Sequence, residues 1–150
     1  MDEIKWVYKS FNELSVSELY DILKLRSEIF VVEQNCVYLD ADDKDQASFH
    51  LCGWLGNNLV AYSRILPPGL AFKEASIGRV STSPSYRKNG AGRRLMEKAI
   101  DITLKQFQDA GIQIGAQLYL DKFYSSLGFY QIGEGYIEDG IPHIHMLFSK

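Results

Sequence analysis

Cysteine is scarce in this sequence, and long apolar runs are missing. Its two cysteines, Cys36 and Cys52, are too few for a disulfide framework and lack the spacing of a zinc site. No stretch approaches the roughly 20 apolar residues that a membrane-spanning helix needs. The first residues also lack the apolar core of a secretion signal. We therefore expect a cytoplasmic protein that has no membrane partner.

An excess of positive charge is missing as well. The 16 lysines and arginines are outnumbered by 19 aspartates and glutamates, which gives a formal net charge of −3. General affinity for nucleic acid is therefore not expected, and any anion site must be a local cluster of basic residues. The length of 150 residues suits one domain, residues 1–150, with a real hydrophobic core.

The hydrophobic pattern predicts a mixed α/β fold. Capping-box spacing at Ser15 and Glu18 precedes a helix expected from about 16 to 31. Strands at 49–55 and 59–66 are expected to form a hairpin. The remaining predicted elements are strands at 4–8, 76–82, 112–118, 129–137 and 143–148, a helix from Gly90 to Ala110-Gly111 and a short helix at 120–127. The strand at 76–82 has a broken period that permits a bulge at Gly78 or Arg79.

The helix that begins at Gly90 is the clearest element in the chain. Its apolar arc consists of Leu95, Met96, Ala99, Ile100, Ile102, Thr103 and Phe107. Because a strand precedes this helix and another follows it, the two strands are expected to be parallel with a right-handed crossover.

The turn that opens this helix has the features of an anion site. Gly90 and Gly92 leave backbone N–H groups accessible, and a helix start adds unpaired donors. Basic residues flank the two glycines: Arg87, Lys88, Arg93 and Arg94. These features predict a bound diphosphate, although a solvated basic turn is the plainer alternative. The Walker pattern is absent, and Leu95 stands where a dinucleotide fingerprint needs its third glycine.

Two separated motifs resemble those of one enzyme superfamily. Arg-x-x-Gly-x-Gly at 87–92 resembles motif A of the GCN5-related N-acetyltransferases (GNAT), and Phe-Tyr-x-x-x-Gly-Phe at 123–129 resembles a later segment of the same superfamily. Further segments resemble its ElaA-like branch: 26–34, 43–45 with His50, 78–80, 117–119 and 138–143. One departure is Val37, which stands where proline is expected after the cysteine.

The resemblance implies a GNAT fold, a central mixed sheet flanked by helices in the order β-α-α-β-β-β-α-β-α-β-β. It implies acetyl-CoA as the acyl donor, held between the strand at 76–82 and a splaying strand at 112–118. The implied donor-binding residues are Val80, Ser81 and Thr82 for the pantetheine arm, and Arg87, Lys88, Asn89, Gly90, Ala91, Gly92 and Arg93 for the pyrophosphate.

Three residues are candidates for the chemistry of acyl transfer to an amine. Tyr124 is the candidate general acid for the departing thiolate, although its position on an apolar helical stripe equally suits a core tyrosine. Glu33 is a candidate base or amine ligand, or it solvates a helix end. His50 is a further candidate, although strand histidines are more often structural. Because the acceptor arrives as a cation, the acidic segment 33–45 is expected to supply negative charge to its pocket.

Three functional hypotheses remain open at this point. The first is direct acetyl transfer to an amine of a small molecule or a protein, by a monomer or a homodimer. The second is a non-catalytic acyl-CoA sensor that uses the same loop. The third, a nucleotide phosphotransferase, lacks a recognisable magnesium site. No zinc site is expected either, because no convincing ligand set accompanies His143 and His145.

Overall fold

The computed structural model describes residues 3–149, apart from the side chains of Lys88 and Asn89. The expected contacts of those two side chains therefore lie outside the described residues. The strands are β1 (Lys5–Ser10), β2 (Phe49–Leu55), β3 (Asn58–Leu66), β4 (Ser76–Thr82), β5 (Gln113–Gln117), β6 (Phe129–Glu138) and β7 (Ile141–Phe148). The helices are α1 (Val16–Arg26), α2 (Ala91–Gln106) and α3 (Asp121–Ser125). The predicted mixed α/β class is confirmed.

Helix α1 begins at the predicted capping box. The hydroxyl of Ser15 accepts from the N–H of Glu18 at 3.0 Å, and the Glu18 carboxylate accepts from the N–H of Ser15 at 2.7 Å. The α-helical hydrogen bonding ends at Arg26, and a wider π-helical segment, Ser27–Glu33, continues the chain. This segment extends the predicted helix by two residues and brings Glu33 to its end.

The strands form two sheets that meet at one point. Their orders are β1-β2-β3-β4 and β5-β7-β6, and every strand pair within them is antiparallel. A parallel bridge joins Ala75 to Ile112, where the N–H of Gln113 donates to the Ala75 carbonyl at 2.9 Å. The predicted parallel pair is therefore confirmed, but only at this junction. Beyond it β4 and β5 pair with other strands, which leaves a cleft between the sheets.

Helix α2 packs against both sheets. Its buried residues are Ala91, Leu95, Met96, Ala99, Ile100 and Thr103, which confirms most of the predicted arc. Burial of each large apolar side chain contributes roughly 1.5–3 kcal/mol. The helix ends at Gln106, four residues earlier than expected, because Phe107 leaves the helical conformation and packs against Phe49. Among the described residues, no helix is long and apolar enough to cross a membrane.

Candidate functional site

A cleft of about 420 Å³ lies between the diverging strands β4 and β5. The π-helical segment and the loop after it form one wall, and α3 with the β6–β7 hairpin forms the other. The cleft brings together five of the predicted site residues: Glu33, Val80, Thr82, Arg87 and Tyr124. Side chains from four separate regions of the sequence therefore share one cavity.

A β-bulge shapes the β4 side of the cleft. Arg79 and Val80 both lie opposite the single residue Ser63 of β3, and Arg79 adopts a φ of +51°. The bulge predicted at Gly78 or Arg79 is thus confirmed. A bulge interrupts the ladder of hydrogen bonds, so backbone groups at this point of β4 are released from pairing with β3, and Arg79 and Val80 line the cleft. Ser81 is buried, and its hydroxyl donates to the Arg79 carbonyl at 2.8 Å.

The start of α2 presents a set of backbone donors. Gly90 adopts a left-handed conformation, with φ at +70°, between the short helical turn Pro84–Asn89 and α2. The N–H of Arg94 donates to the Gly90 carbonyl at 3.2 Å, so the amides of residues 91–93 precede the first bond inside the helix. A Cβ added at Gly90 or Gly92 would meet no atom within 4 Å. The loop therefore has the open space that a phosphate group requires.

Arg87 of this loop is paired across the cleft with Glu33. Its guanidinium forms a two-pronged contact with the carboxylate, with Nη1–Oε2 at 2.7 Å and Nη2–Oε1 at 2.6 Å. The hydrogen bonds from Arg87 lower the pKa of Glu33. The carboxylate is therefore a weak base in this arrangement, and the pair links the anion loop to the opposite wall of the cleft.

Tyr124 lies at the inner end of the cleft. Its side chain is 7% exposed and packs edge-on against the rings of Phe123 and Phe129. Burial raises the pKa of Tyr124 to about 12, so the phenol keeps its proton at neutral pH. Within residues 3–149 no hydrogen-bond partner of this hydroxyl is present, which leaves its O–H available to a bound molecule.

His50 does not reach the cleft. It is fully buried, with Nδ1 at 2.7 Å from the Tyr62 hydroxyl and Nε2 at 3.0 Å from the Asp45 carbonyl oxygen. Burial lowers the pKa of His50, so the ring is neutral. Since both ring nitrogens are already bonded inside the protein, the structure gives His50 a structural role in place of the expected catalytic one.

Most of the negative charge of the acidic segment is not available to the acceptor pocket. Three of its four aspartates form a closed network with arginines from α1, β3 and β4, and the six members are Asp40, Asp42, Asp45, Arg26, Arg64 and Arg79. Three negative and three positive charges cancel within this network. The expectation is therefore wrong for these aspartates, whose charge is already neutralised.

Arg26 is the centre of the arginine–aspartate network. It is fully buried, and its Nε and Nη1 atoms lie 2.8 Å from carboxylate oxygens of Asp40 and Asp45 respectively. Arg79 contacts a second oxygen of Asp40 at 2.8 Å, which connects the loop to the bulge of β4. The network thus fixes the loop that forms one wall of the cleft relative to α1 and β4.

Two residues that line the cleft are not among the site residues predicted from the sequence. Glu138 and His143 line the cleft from the β6–β7 hairpin, and their Oε2 and Nε2 atoms lie 3.8 Å apart. In the sequence His143 is considered only as a zinc ligand with His145, and the described residues contain no group of three potential metal ligands. The sequence signal that could have identified them is their position on either side of the Asp139-Gly140 turn, which brings a carboxylate and an imidazole together.

Comparison with known proteins shows which family this chain resembles. The model of the acetyltransferase (GNAT) domain matches residues 32–150. A UPF0039 protein of Synechocystis is 43% identical over 97% of this chain and 96% of its own length. Protein ElaA of Escherichia coli is 43% identical over 95% of both chains.

Solved structures agree with these sequence relatives. An acyl-CoA N-acyltransferase from Pseudomonas aeruginosa superposes with a TM-score of 0.93 at 38% identity, covering 97% of this chain and 99% of its own. The structure of Escherichia coli ElaA gives a TM-score of 0.91 with the same coverage. The predicted fold class is thereby confirmed. The chain therefore belongs to the GNAT acetyltransferase family, in its ElaA-like branch.

Proposed function

We propose that the protein transfers an acetyl group directly from acetyl-CoA to an amine of a small molecule or a protein. The observation that carries the proposal is the juxtaposition, in one cleft, of a bulged β4 strand and the protonated hydroxyl of Tyr124. Membership of the GNAT family supports the class of reaction. The free cysteines, Cys36 and Cys52, suit a reducing compartment, and we place the reaction in the cytoplasm.

The donor would lie along β4 and the start of α2. Backbone groups of Val80, Ser81 and Thr82 would bind the pantetheine arm and polarise the thioester carbonyl, because the bulge releases such groups from the sheet. Backbone amides from Lys88 to Arg93 would hold the pyrophosphate, aided by the dipole of α2. Arg87 and Arg93 add positive charge at the same loop.

Tyr124 would assist the departure of sulfur. A phenol with a pKa of about 12 is a weaker acid than a thiol at about 8.5, so complete transfer of its own proton to the thiolate is unfavourable. A hydrogen bond from the phenol to the developing thiolate is favourable, because the O–H is buried, protonated and otherwise unpaired among the described residues. Tyr124 is thus proposed as the donor that stabilises negative charge on sulfur.

The acceptor is proposed to be a cationic amine. Glu33 lies on one wall of the cleft, and Glu138 and Asp139 lie on the other. All three are outside the arginine–aspartate network. Glu138 and Asp139 therefore keep their attraction for a cation, whereas Glu33 is paired with Arg87. Glu33 is proposed as an amine ligand, which becomes available when Arg87 turns from it towards a phosphate.

Calorimetry with acetyl-CoA, ATP and NAD, followed by a thiol-release assay across a panel of amines, tests this proposal. We expect saturable binding of acetyl-CoA with no comparable heat from the two nucleotides, and free thiol with at least one amine. Absence of acetyl-CoA binding would contradict the proposal. Binding without thiol release from any small or peptidic amine would favour a sensor that uses the same cleft.

Substitution Glu33→Gln is expected to change donor and acceptor affinity in opposite directions. Without the carboxylate, Arg87 is free for phosphate, so acetyl-CoA should bind a few-fold tighter, in keeping with roughly 0.2–1 kcal/mol for an exposed pair. The KM for the amine should rise, because one anionic ligand is lost. Titration calorimetry and steady-state kinetics measure the two effects, and Glu134→Gln on β6 removes an equal charge as the matched control. Weaker acetyl-CoA binding by Glu33→Gln would contradict competition for Arg87.

A further inference from the structure

His143 on β7 lines the cleft with a fixed tautomer, and its Nε2 atom has no hydrogen bond among the described residues. Its Nδ1 atom lies 2.7 Å from the carbonyl oxygen of Ile141. A carbonyl oxygen only accepts hydrogen bonds, so Nδ1 must carry the hydrogen. In the neutral ring the lone pair therefore belongs to Nε2. Imidazole is the side chain best able to take up and release a proton near neutral pH.

Two neighbouring side chains lie against this ring. The Glu138 carboxylate lies 3.8 Å from Nε2, and the ring of Tyr136 stacks on the imidazole with centroids 5.5 Å apart. The side chain of His143 is 10% exposed, whereas that of Glu138 is 62% exposed. The imidazole is therefore held in place, while the carboxylate next to it reaches solvent.

His143 lies on the face of the second sheet that is remote from α2. It is directly opposite Gln117 of β5 and Tyr136 of β6, and directly opposed residues share a face. The neighbouring residue Ile144 points the other way, into the core that includes α2 and Tyr124. An amine would thus enter on the side of the second sheet that carries His143, and the thioester would lie on the side that faces α2.

We propose that His143 is the catalytic base of the acyl transfer. This inference rests on the proposed function. An ammonium acceptor loses one proton to Nε2 of His143, from which it passes to solvent. The free amine then forms the C–N bond while the C–S bond of the thioester breaks. The second proton lost by nitrogen ends on the coenzyme sulfur, so the thiol and the amide leave neutral.

Other titratable groups near the ring do not have this geometry. Tyr136 presents its ring face to the imidazole, and His145 contacts the opposite part of Tyr136 with centroids 4.6 Å apart. The carbonyl of Asp139 accepts from the Cys36 thiol at 3.6 Å. Glu33 on the facing wall is bound to Arg87. Of these residues, none combines a defined lone pair with a neighbouring carboxylate at the cleft.

The test compares His143→Gln with His145→Gln, a matched change on the same strand and face, over a range of pH. At pH 7 we expect His143→Gln to lower kcat/KM for the amine about a hundredfold, at the lower end of general-base effects. The deficit should shrink as the pH approaches the pKa of the acceptor amine, since the free amine needs no base. His145→Gln should remain near wild type, and both should bind acetyl-CoA normally by calorimetry.

The outcomes separate this inference from the proposed function. A deficit that is equal at every pH, or equal in both variants, would overturn the role of His143 while leaving acyl transfer intact. Loss of acetyl-CoA binding by the wild-type protein would instead count against the proposed function. If His143→Gln fails to fold, His143→Asn replaces it, because the asparagine amide can still donate to the Ile141 carbonyl. His143→Asn should show the same deficit at pH 7 and the same recovery at high pH, and wild-type activity at every pH would overturn the proposal.

Discussion

Replacing Tyr124 with phenylalanine is expected to lower kcat about a hundredfold while the affinity for acetyl-CoA changes little. The substitution removes one oxygen atom from a buried ring whose packing against Phe123 and Phe129 stays intact. A proton donor that acts on the leaving group typically contributes between roughly a hundredfold and ten-thousandfold. We expect the low end, because the raised pKa of Tyr124 favours hydrogen bonding over complete proton transfer. Thiol release under saturating substrates measures kcat.

The matched control for this change is Tyr130→Phe. Tyr130 is half exposed on β6, and its substitution removes the same atom at a position that is not among the cleft residues. Turnover should be unaffected in the control. A Tyr124→Phe variant that keeps more than half of the wild-type kcat would refute the donor role and would favour the sensor hypothesis.

Substitution Arg26→Met is expected to reduce the free energy of unfolding by about 3 kcal/mol or more. Methionine keeps most of the side-chain length, so the effect arises from charge and not from a cavity. Asp40 and Asp45 would lose their shared buried partner, and each would keep one ion pair, to Arg79 and Arg64 respectively. Buried charges without full compensation are costly because water no longer solvates them. Denaturant-induced unfolding measures the change.

The control for the buried network is Lys105→Met on α2. Lys105 also forms an ion pair, with Asp101 at 3.1 Å, but both side chains are well exposed. Such pairs contribute no more than about 0.5 kcal/mol, so the variant should unfold close to wild type. A loss below about 1 kcal/mol in Arg26→Met would show that the network does not stabilise the fold.

The features that were predictable from sequence are those set by local patterns. The capping box at Ser15, the hairpin turn at Gly56 and the buried stripe of α2 all depend on residues that are neighbours in the chain. The bulge in β4 was predicted as a possibility, because the apolar alternation breaks between Ile77 and Val80. Local spacing determines backbone hydrogen bonding, so these features need no knowledge of the tertiary structure.

The features that were missed depend on contacts between distant segments. Arg26 is separated from Asp45 by 19 positions, and Arg79 from Asp40 by 39, so an acidic loop and scattered arginines showed no sign of pairing. His143 was considered only as a zinc ligand, and no convincing ligand set accompanies it in the sequence. The burial of Arg26 could have been predicted, because Arg26 lies on the same helical face as Ile22 and Ile29.

The arginine–aspartate network has a consequence for how this protein can diverge or be redesigned. The loop that forms one wall of the cleft is anchored through its aspartates by Arg26 of α1, Arg64 of β3 and Arg79 of β4. A loop transplanted from a relative will therefore keep its shape only if these three arginines find matching carboxylates. Acceptor specificity should accordingly evolve through residues outside the network, while the six charges are inherited as a set.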